Sequence, residues 1–258
     1  MELTAVNNPQ VKAAAELKQK KYRQQRGLFL AEGLRTVEES VAYRQAESIY
    51  YTAIEDERTR AVLEAAAAQQ VKLYCVSDAV LKKIADTETP QGIIAVCKMQ
   101  STSMEQLLAK GKMLLVLDRV GDPGNVGTIL RSADWFGVSR VYLSEDCADI
   151  YNPKVVQASM GSLFRVKISV CDVAELCSNF RSVGKDVFGT VLDGEDIYRC
   201  ELPDEGLIVM GNESRGISEA VRRELSRRLR IPSFGGSRAE SLNVAVATAV
   251  TLSIFRGK

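Results

Sequence analysis

IVMGNESRGIS, Ile208 to Ser218, is an apolar run of strand type that passes without a spacer into Gly211, Asn212, Glu213 and a second glycine, Gly216. Short continuous apolar runs bounded by glycine read as strands buried on both faces, as in a parallel sheet. A carboxylate at such a strand end, beside glycines, fits either a turn with a helix-start acid or one wall of a ligand site. Five further runs share the type: MLLVLD (113–118), RVYLS (140–144), FRVKISV (164–170), DVFGTVL (186–192) and RLRIP (228–232). Helical patterns separate most of them, which predicts an α/β fold with a parallel sheet covered on both faces. Ligands in such sheets collect beyond the carboxyl ends of the strands, so the residues after each strand carry the function.

The first part of the chain alternates on a smaller scale. VKAAAELKQKKYRQQ (11–25) reads as an amphipathic helix, LFLAEG (28–33) as a strand closing in Gly33, and LRTVEESVAYR (34–44) as a helix. SIYYTA (48–53), KLYCVS (72–77) and GIIAVC (92–97) add three β-rich runs, and the alanines from Ala65 to Ala68 are good helix filler. We therefore expect a small α/β domain over residues 1–98, a linker at 99–111 where KMQSTSMEQLLAKGK loses the strand pattern, and a second domain over 112–258.

Composition narrows the chemistry. The 258 residues are 46% hydrophobic and 26% charged, as in a globular protein with a substantial core, and no apolar run is long enough to span a bilayer. With no signal peptide evident, the expected location is the cytoplasm. The chain has no histidine, which excludes Ser-His-Asp and Cys-His catalysis and any His-containing zinc site. Its six cysteines never form a C-x-x-C pair and read as buried free thiols, so no metal is expected. The formal net charge is only +1, yet Lys12, Lys18, Lys20, Lys21, Arg23 and Arg26 face Glu16 alone between Gln10 and Arg26. A second cluster holds Arg222, Arg223, Arg227, Arg228, Arg230 and Arg238. Each is a solvated helix face or a phosphate-gripping surface.

Two more strand ends carry polar residues. In LDRVGDPGNVGTILRSADWFGV (117–138), Gly121, Pro123, Gly124 and Gly127 precede a helix expected to open near Thr128, with Arg131 in its first turn. Neither G-x-x-x-x-G-K-[ST] nor G-x-G-x-x-G is present, which removes the ordinary P-loop and the oxidoreductase dinucleotide fingerprint. Near the end, RIPSFGGSRAESLNVAVATAV (230–250) runs through an irregular loop containing Gly235 and Gly236 into a small-residue helix, for which Ser241 is the expected N-cap.

Asn125-x-Gly127-x-x-x-Arg131 followed by Phe136-Gly137, the strand ending Gly211-Asn212-Glu213-x-x-Gly216, and Ile231-Pro232 followed by Ser241-Leu242-Asn243-Val244 together resemble the three motifs of the SpoU (TrmH-like) branch of the SPOUT class of RNA methyltransferases. The N-terminal segment NPQVKAAAELKQKKYRQQRGLFLAEG is similar to the substrate-binding domain that precedes the catalytic domain in many rRNA-modifying members. The loop from Ser233 to Glu240 is longer than in the family's usual pattern.

The resemblance implies 2′-O-methylation of RNA ribose with S-adenosylmethionine, a C-terminal domain with a trefoil knot, and a homodimer. It favours large-subunit rRNA over tRNA as substrate, and leaves a non-catalytic RNA-binding or ribosome-assembly protein of the same fold as the alternative. It implies catalytic roles for Asn125, Arg131, Glu213, Ser241 and Asn243, and a cofactor wall from Thr190, Val191, Leu192, Gly211, Ile231 and Leu242. Glu213 is expected to position Arg131 or a loop amide. RNA contact would fall to Lys12, Lys20, Lys21, Arg23 and Arg26 in the N-terminal domain.

Overall fold

A computed structural model of the chain describes residues 2–54, 56–100, 113–138, 140–234 and 239–257. The expected linker from residue 101 onward, the pair Gly235-Gly236 and Arg238 lie outside the described residues. In chain order the elements are β1 (Glu2–Leu3), α1 (Pro9–Glu16), α2 (Lys20–Arg26), β2 (Leu28–Glu32), α3 (Leu34–Ala42), β3 (Ala46–Tyr51), α4 (Glu57–Ala68), β4 (Lys72–Val76), α5 (Asp78–Ile84) and β5 (Ile93–Lys98). Then come β6 (Met113–Asp118), α6 (Pro123–Trp135), β7 (Arg140–Leu143), α7 (Pro153–Ser159), α8 (Ser162–Arg165) and β8 (Lys167–Val170). The last are α9 (Val173–Ser182), β9 (Val187–Asp196), β10 (Gly206–Gly211), α10 (Glu219–Arg223), β11 (Arg227–Arg230) and α11 (Val244–Arg256).

The chain forms two compact units: Met1–Ser101 with Asp149–Arg165, and Thr102–Ala148 with Val166–Lys258. In the first, the sheet order is β1-β4-β3-β5-β2, with β5 antiparallel to both β3 and β2. Residues 149–165, which the sequence places in the second half, join this unit because Phe29 packs against the rings of Tyr151 and Phe164. The single helix expected over 11–25 is two helices. Leu17 is buried at the break, and the Arg23 guanidinium turns inward to donate to the carbonyls of Leu17 (3.0 Å) and Lys18 (2.7 Å) and to Asp149 (2.6 Å). Those bonds satisfy carbonyls left over at the end of α1.

The second unit holds a six-stranded sheet of order β11-β9-β10-β6-β7-β8, parallel at every pairing. All six expected strands are present. β6 is buried along its whole length and pairs residue for residue with β10, Met113–Asp118 against Gly206–Gly211. One face carries α9, with Leu176 and Phe180 over Leu114, Val116 and Val209; on the other, Phe255 of α11 packs edge-on to Phe188. β9 runs past its expected end at Leu192 to Asp196, because after a register shift in β11 its last residues pair with Leu229 and Arg230.

One helix start differs from expectation. α6 opens at Pro123, not near Thr128, since Asp122 accepts from the Asn125 N–H at 2.7 Å and Pro123 occupies the first helical position. Asp followed by Pro is a strong start signal, whereas Gly124 and Gly127 merely lie inside the helix. Arg131 therefore falls in the third turn. The six cysteines are free as expected, but only Cys97 and Cys177 are buried, and burial pushes their thiols up to about 12; Cys75, Cys147, Cys171 and Cys200 are half-buried. Among the described residues no helix is long and apolar enough to cross a membrane, and no His/Cys/Asp/Glu group is arranged to hold a metal.

Candidate active site

Along the middle of β9 and beyond the carboxyl ends of β10 and β11 lies a cavity of about 560 Å³, inside the range of roughly 300–1,000 Å³ usual for small-molecule sites. Thr190, Val191, Leu192, Gly211, Ile231 and Leu242 all line it, together with Met210, Ser241 and Ala247. Aliphatic side chains make up one part of the wall, and polar groups, among them Thr190, Asp193, Asn212, Glu213 and Arg222, make up the rest. One of these is conspicuous: the Thr190 hydroxyl is buried and has no hydrogen-bond partner within the described chain. Buried hydroxyls are ordinarily bonded, so this donor-acceptor is available to a ligand seated against β9. Aliphatic surface for the adenine and methionine stem, with that free hydroxyl and the polar residues beside it for their heteroatoms, fits S-adenosylmethionine. At the rim, Arg222 donates to Asp193 at 2.5 Å and holds its carboxyl below the usual range.

The floor depends on backbone packing. A Cβ at Gly211 would stand 2.4 Å from both the Gly216 carbon and the Ile217 nitrogen. Asn212 and Gly216 exchange backbone hydrogen bonds of 3.1 and 2.9 Å, and Gly216 takes φ +65° to close the turn. This tight turn presents Glu213 at the cavity.

Three side chains distant in sequence form one hydrogen-bonded chain. Asn243 Nδ2 donates to Asn125 Oδ1 at 2.9 Å, and Asn125 Nδ2 donates to Glu213 Oε1 at 2.6 Å. They come from the starts of α11 and α6 and the turn after β10. Thus Glu213 binds Asn125 and not Arg131. Asn243 also caps α11, its Oδ1 accepting from Ala245 N (2.9 Å) and Val246 N (3.3 Å). The cap expected of Ser241 therefore belongs to Asn243; Ser241 is exposed and lines the cavity. Asn243→Ala should lower the unfolding free energy by about 1 kcal/mol through loss of the cap. Asn243→Asp keeps the cap acceptor and should retain stability while losing the donor to Asn125; urea titration beside a methyl-transfer assay separates the two.

Arg131 is exposed on α6 and does not line the cavity. Six helical residues beyond Asn125, it lies about 9 Å further along the axis and some 120° around it. The sequence reading missed three supports. Asp118, 2% exposed, accepts from Ser218 N at 2.5 Å, and Asn212 donates to the carbonyl of Arg119 at 2.8 Å. Arg119 itself adopts φ +60° and reaches the Gly216 carbonyl at 3.4 Å. An arginine after a strand gives no sequence signal for a left-handed backbone.

In the first unit, Lys12, Lys20 and Lys21 are exposed, with Lys21 over the Tyr22 ring. Arg26 is exposed but paired with Glu16. Arg23, only 3% exposed, is committed to Asp149 and does not share that face. In the second basic cluster Arg222, Arg223, Arg227 and Arg228 all pair with acids.

Residues 112–253 match the SpoU rRNA Methylase family, and residues 8–95 match the MRM3-like substrate binding domain. The 23S rRNA (guanosine(2553)-2′-O)-methyltransferase RlmP of Bacillus subtilis is 33% identical, covering 99% of both chains. The 23S rRNA (guanosine-2′-O-)-methyltransferase RlmB of Neisseria meningitidis serogroup B is 33% identical over 78% of this chain and 82% of its own. A crystal structure of an AdoMet-bound rRNA methyltransferase from Sinorhizobium meliloti superposes with a TM-score of 0.88 at 30% identity, covering 100% of this chain and 97% of that one. With two of its strand-end motifs lining one cavity, the third bonded to them through Asn125, and these likenesses running the length of the sequence, the chain belongs to the SpoU rRNA methylase family.

Proposed function

We propose that this chain transfers the methyl group of S-adenosylmethionine to a ribose 2′-hydroxyl of large-subunit ribosomal RNA. The observation that carries this reading is the meeting of a partly aliphatic cavity holding an unpartnered Thr190 hydroxyl with the Asn243–Asn125–Glu213 chain at its edge. The reactions of these relatives, both on 23S rRNA, support rRNA over tRNA as substrate. Bound S-adenosylmethionine supplies an electrophilic methyl on a sulfonium. The work left to the protein is to orient the hydroxyl and ease loss of its proton. Glu213 fixes the Asn125 amide through a charge-assisted bond, and Asn125 in turn is gripped by Asn243, so the amides are pre-set before RNA arrives. Ser241 offers a hydroxyl at the cavity mouth. Arg131 holds a substrate phosphate and stabilises developing alkoxide charge; an arginine in a protein does not deprotonate, so it does not serve as the base.

Residues 1–98, against which 149–165 pack, form the RNA-binding domain and the rest of 112–258 the transferase domain in this reading, with the knot drawing the cofactor loops to one site. The protein acts in the cytoplasm as a homodimer; Trp135 on α6 (85% exposed) and Val246 on α11 (49% exposed) are apolar surfaces that a second copy would cover. Mapping ribose methylation in cells lacking the gene should show one 2′-O-methyl mark missing from 23S rRNA. A mark missing from tRNA instead would move the substrate, and S-adenosylmethionine affinity without any transfer would favour the ribosome-assembly alternative.

Lys20 and Lys21 are proposed to touch phosphate. Reversing both to Glu should weaken RNA binding and flatten the dependence of log K on log salt by roughly 0.7 per lost phosphate contact on single strands. An unchanged slope would return this face of α2 to an ordinary solvated surface.

A further inference from the structure

A second cleft, of about 280 Å³, opens within the first unit where β2 ends and α3 begins, walled by residues of the 86–91 loop and by α7. α3 starts after Gly33 at φ +90°, and no side chain among the described residues caps its first turn. Thr36 in that turn lines the cleft and is only 6% exposed, yet its hydroxyl has no hydrogen-bond partner among the described residues. Ser40, one turn later, bonds the Val37 carbonyl, as helix hydroxyls commonly do. A hydroxyl that lines the cleft with no bond to the described chain, beside uncapped backbone N–H groups, is free to meet a polar ligand.

The remaining walls narrow the ligand's chemistry. Glu32 accepts from Asp86 N (3.1 Å), Thr87 N (3.4 Å) and the Thr87 hydroxyl, so its charge is spent holding the 86–91 loop in place. The Gln91 amide lies against Gly33, where a Cβ would approach its Oε1 to 2.9 Å; any larger residue would displace that amide. Leu30 and Val156 form an apolar side, Gln157 is exposed on α7, and Arg35 is exposed at the mouth. Neutral amides and a hydroxyl read base edges, an apolar wall takes a base face, and an arginine beside a helix N-terminus takes phosphate. The volume lies just below that of drug-sized sites and suits a single nucleotide unit.

We infer that this cleft captures one unstacked nucleotide of the RNA, its base against Leu30 and Val156, its edges on Thr36, Gln91 and Gln157, and its phosphate on Arg35 and the start of α3. This rests on the proposed RNA methyl transfer and adds a second nucleotide-reading site outside the cavity of the second unit. The test uses the full chain and a 23S rRNA fragment that it methylates, carrying 4-thiouridine or 6-thioguanosine for photo-crosslinking. Crosslinks are expected in the peptides holding residues 32–36 or 86–91. Thr36→Val, which removes only the hydroxyl, and Gln157→Trp, which fills the cleft from its exposed edge, should each raise the RNA KM about tenfold with kcat and S-adenosylmethionine affinity unchanged. An active enzyme with no crosslinks in those peptides and an unchanged KM in both variants overturns the site alone. A wild-type chain that neither binds nor methylates RNA overturns the proposed function and this site with it.

Discussion

Arg131→Ala is expected to lower the rate of methyl transfer by about 10²–10³-fold while leaving S-adenosylmethionine affinity within twofold of the parent. The second half of that expectation follows from geometry. Arg131 is exposed on the third turn of α6 and lies outside the cavity lining, so its loss removes no atom from the cofactor wall. Alanine is the best helix former and α6 is started by Asp122 and Pro123, well before position 131, so the helix and the Asn125 amide stay in place. A lost rate with intact binding, measured by single turnover and calorimetry, would place Arg131 on the RNA side of the reaction. Full turnover would remove it from the mechanism. Arg131→Lys refines the point: charge is kept but the planar fork is not, and a rate well below wild type would show that paired hydrogen bonds to phosphate or ribose oxygen matter.

Gly211→Ala is expected to cost at least tenfold in S-adenosylmethionine affinity and about 1–3 kcal/mol in stability, the usual cost of overpacking. The added methyl meets backbone on the opposite side of the turn at 2.4 Å, where no flexible side chain can yield. The displaced segment includes Glu213, so the bond to Asn125 is strained along with the cavity floor. Gly216→Ala is the control: its Cβ would meet nothing within 4 Å, and only the φ of +65° opposes it, a penalty of about 1–2 kcal/mol. Comparable losses in both variants would mean that turn strain, rather than the 211–217 contact, sets the floor.

Much of the second unit was legible in the sequence because buried parallel strands are continuous apolar runs, and all six stand out against their helices. The six residues assigned to the cofactor wall line one cavity: Thr190, Val191 and Leu192 from within β9, Gly211 closing β10, Ile231 just past β11, and Leu242 just before α11. Local rules failed where two capping candidates competed. Ser241 and Asn243 are both good caps, and the bond from Asn243 to Asn125, 118 residues away, fixes which one takes the role. The start of α6 differs for another reason: four glycine and proline positions in seven residues suggest a loop, but Asp122 and Pro123 open the helix and Gly124 and Gly127 lie inside it. Arg23 shows the limit of charge counting. Among six basic residues it is the one whose guanidinium fills a break between helices, and only its partner Asp149, 126 residues away, reveals that.

The sequence by itself therefore determined the α/β class, the strand set, the absence of histidine chemistry and the three polar strand ends, since each depends on residue type and short-range periodicity. Tertiary structure decided which of those ends touch, that Glu213 holds Asn125 rather than Arg131, that Arg119 carries a left-handed backbone beneath the Asn212 turn, and that the buried Thr190 hydroxyl keeps no partner among the described residues. These depend on long-range packing: a hydrogen bond across about a hundred residues leaves no periodic trace in the chain, and exists only once the sheet brings its strand ends together.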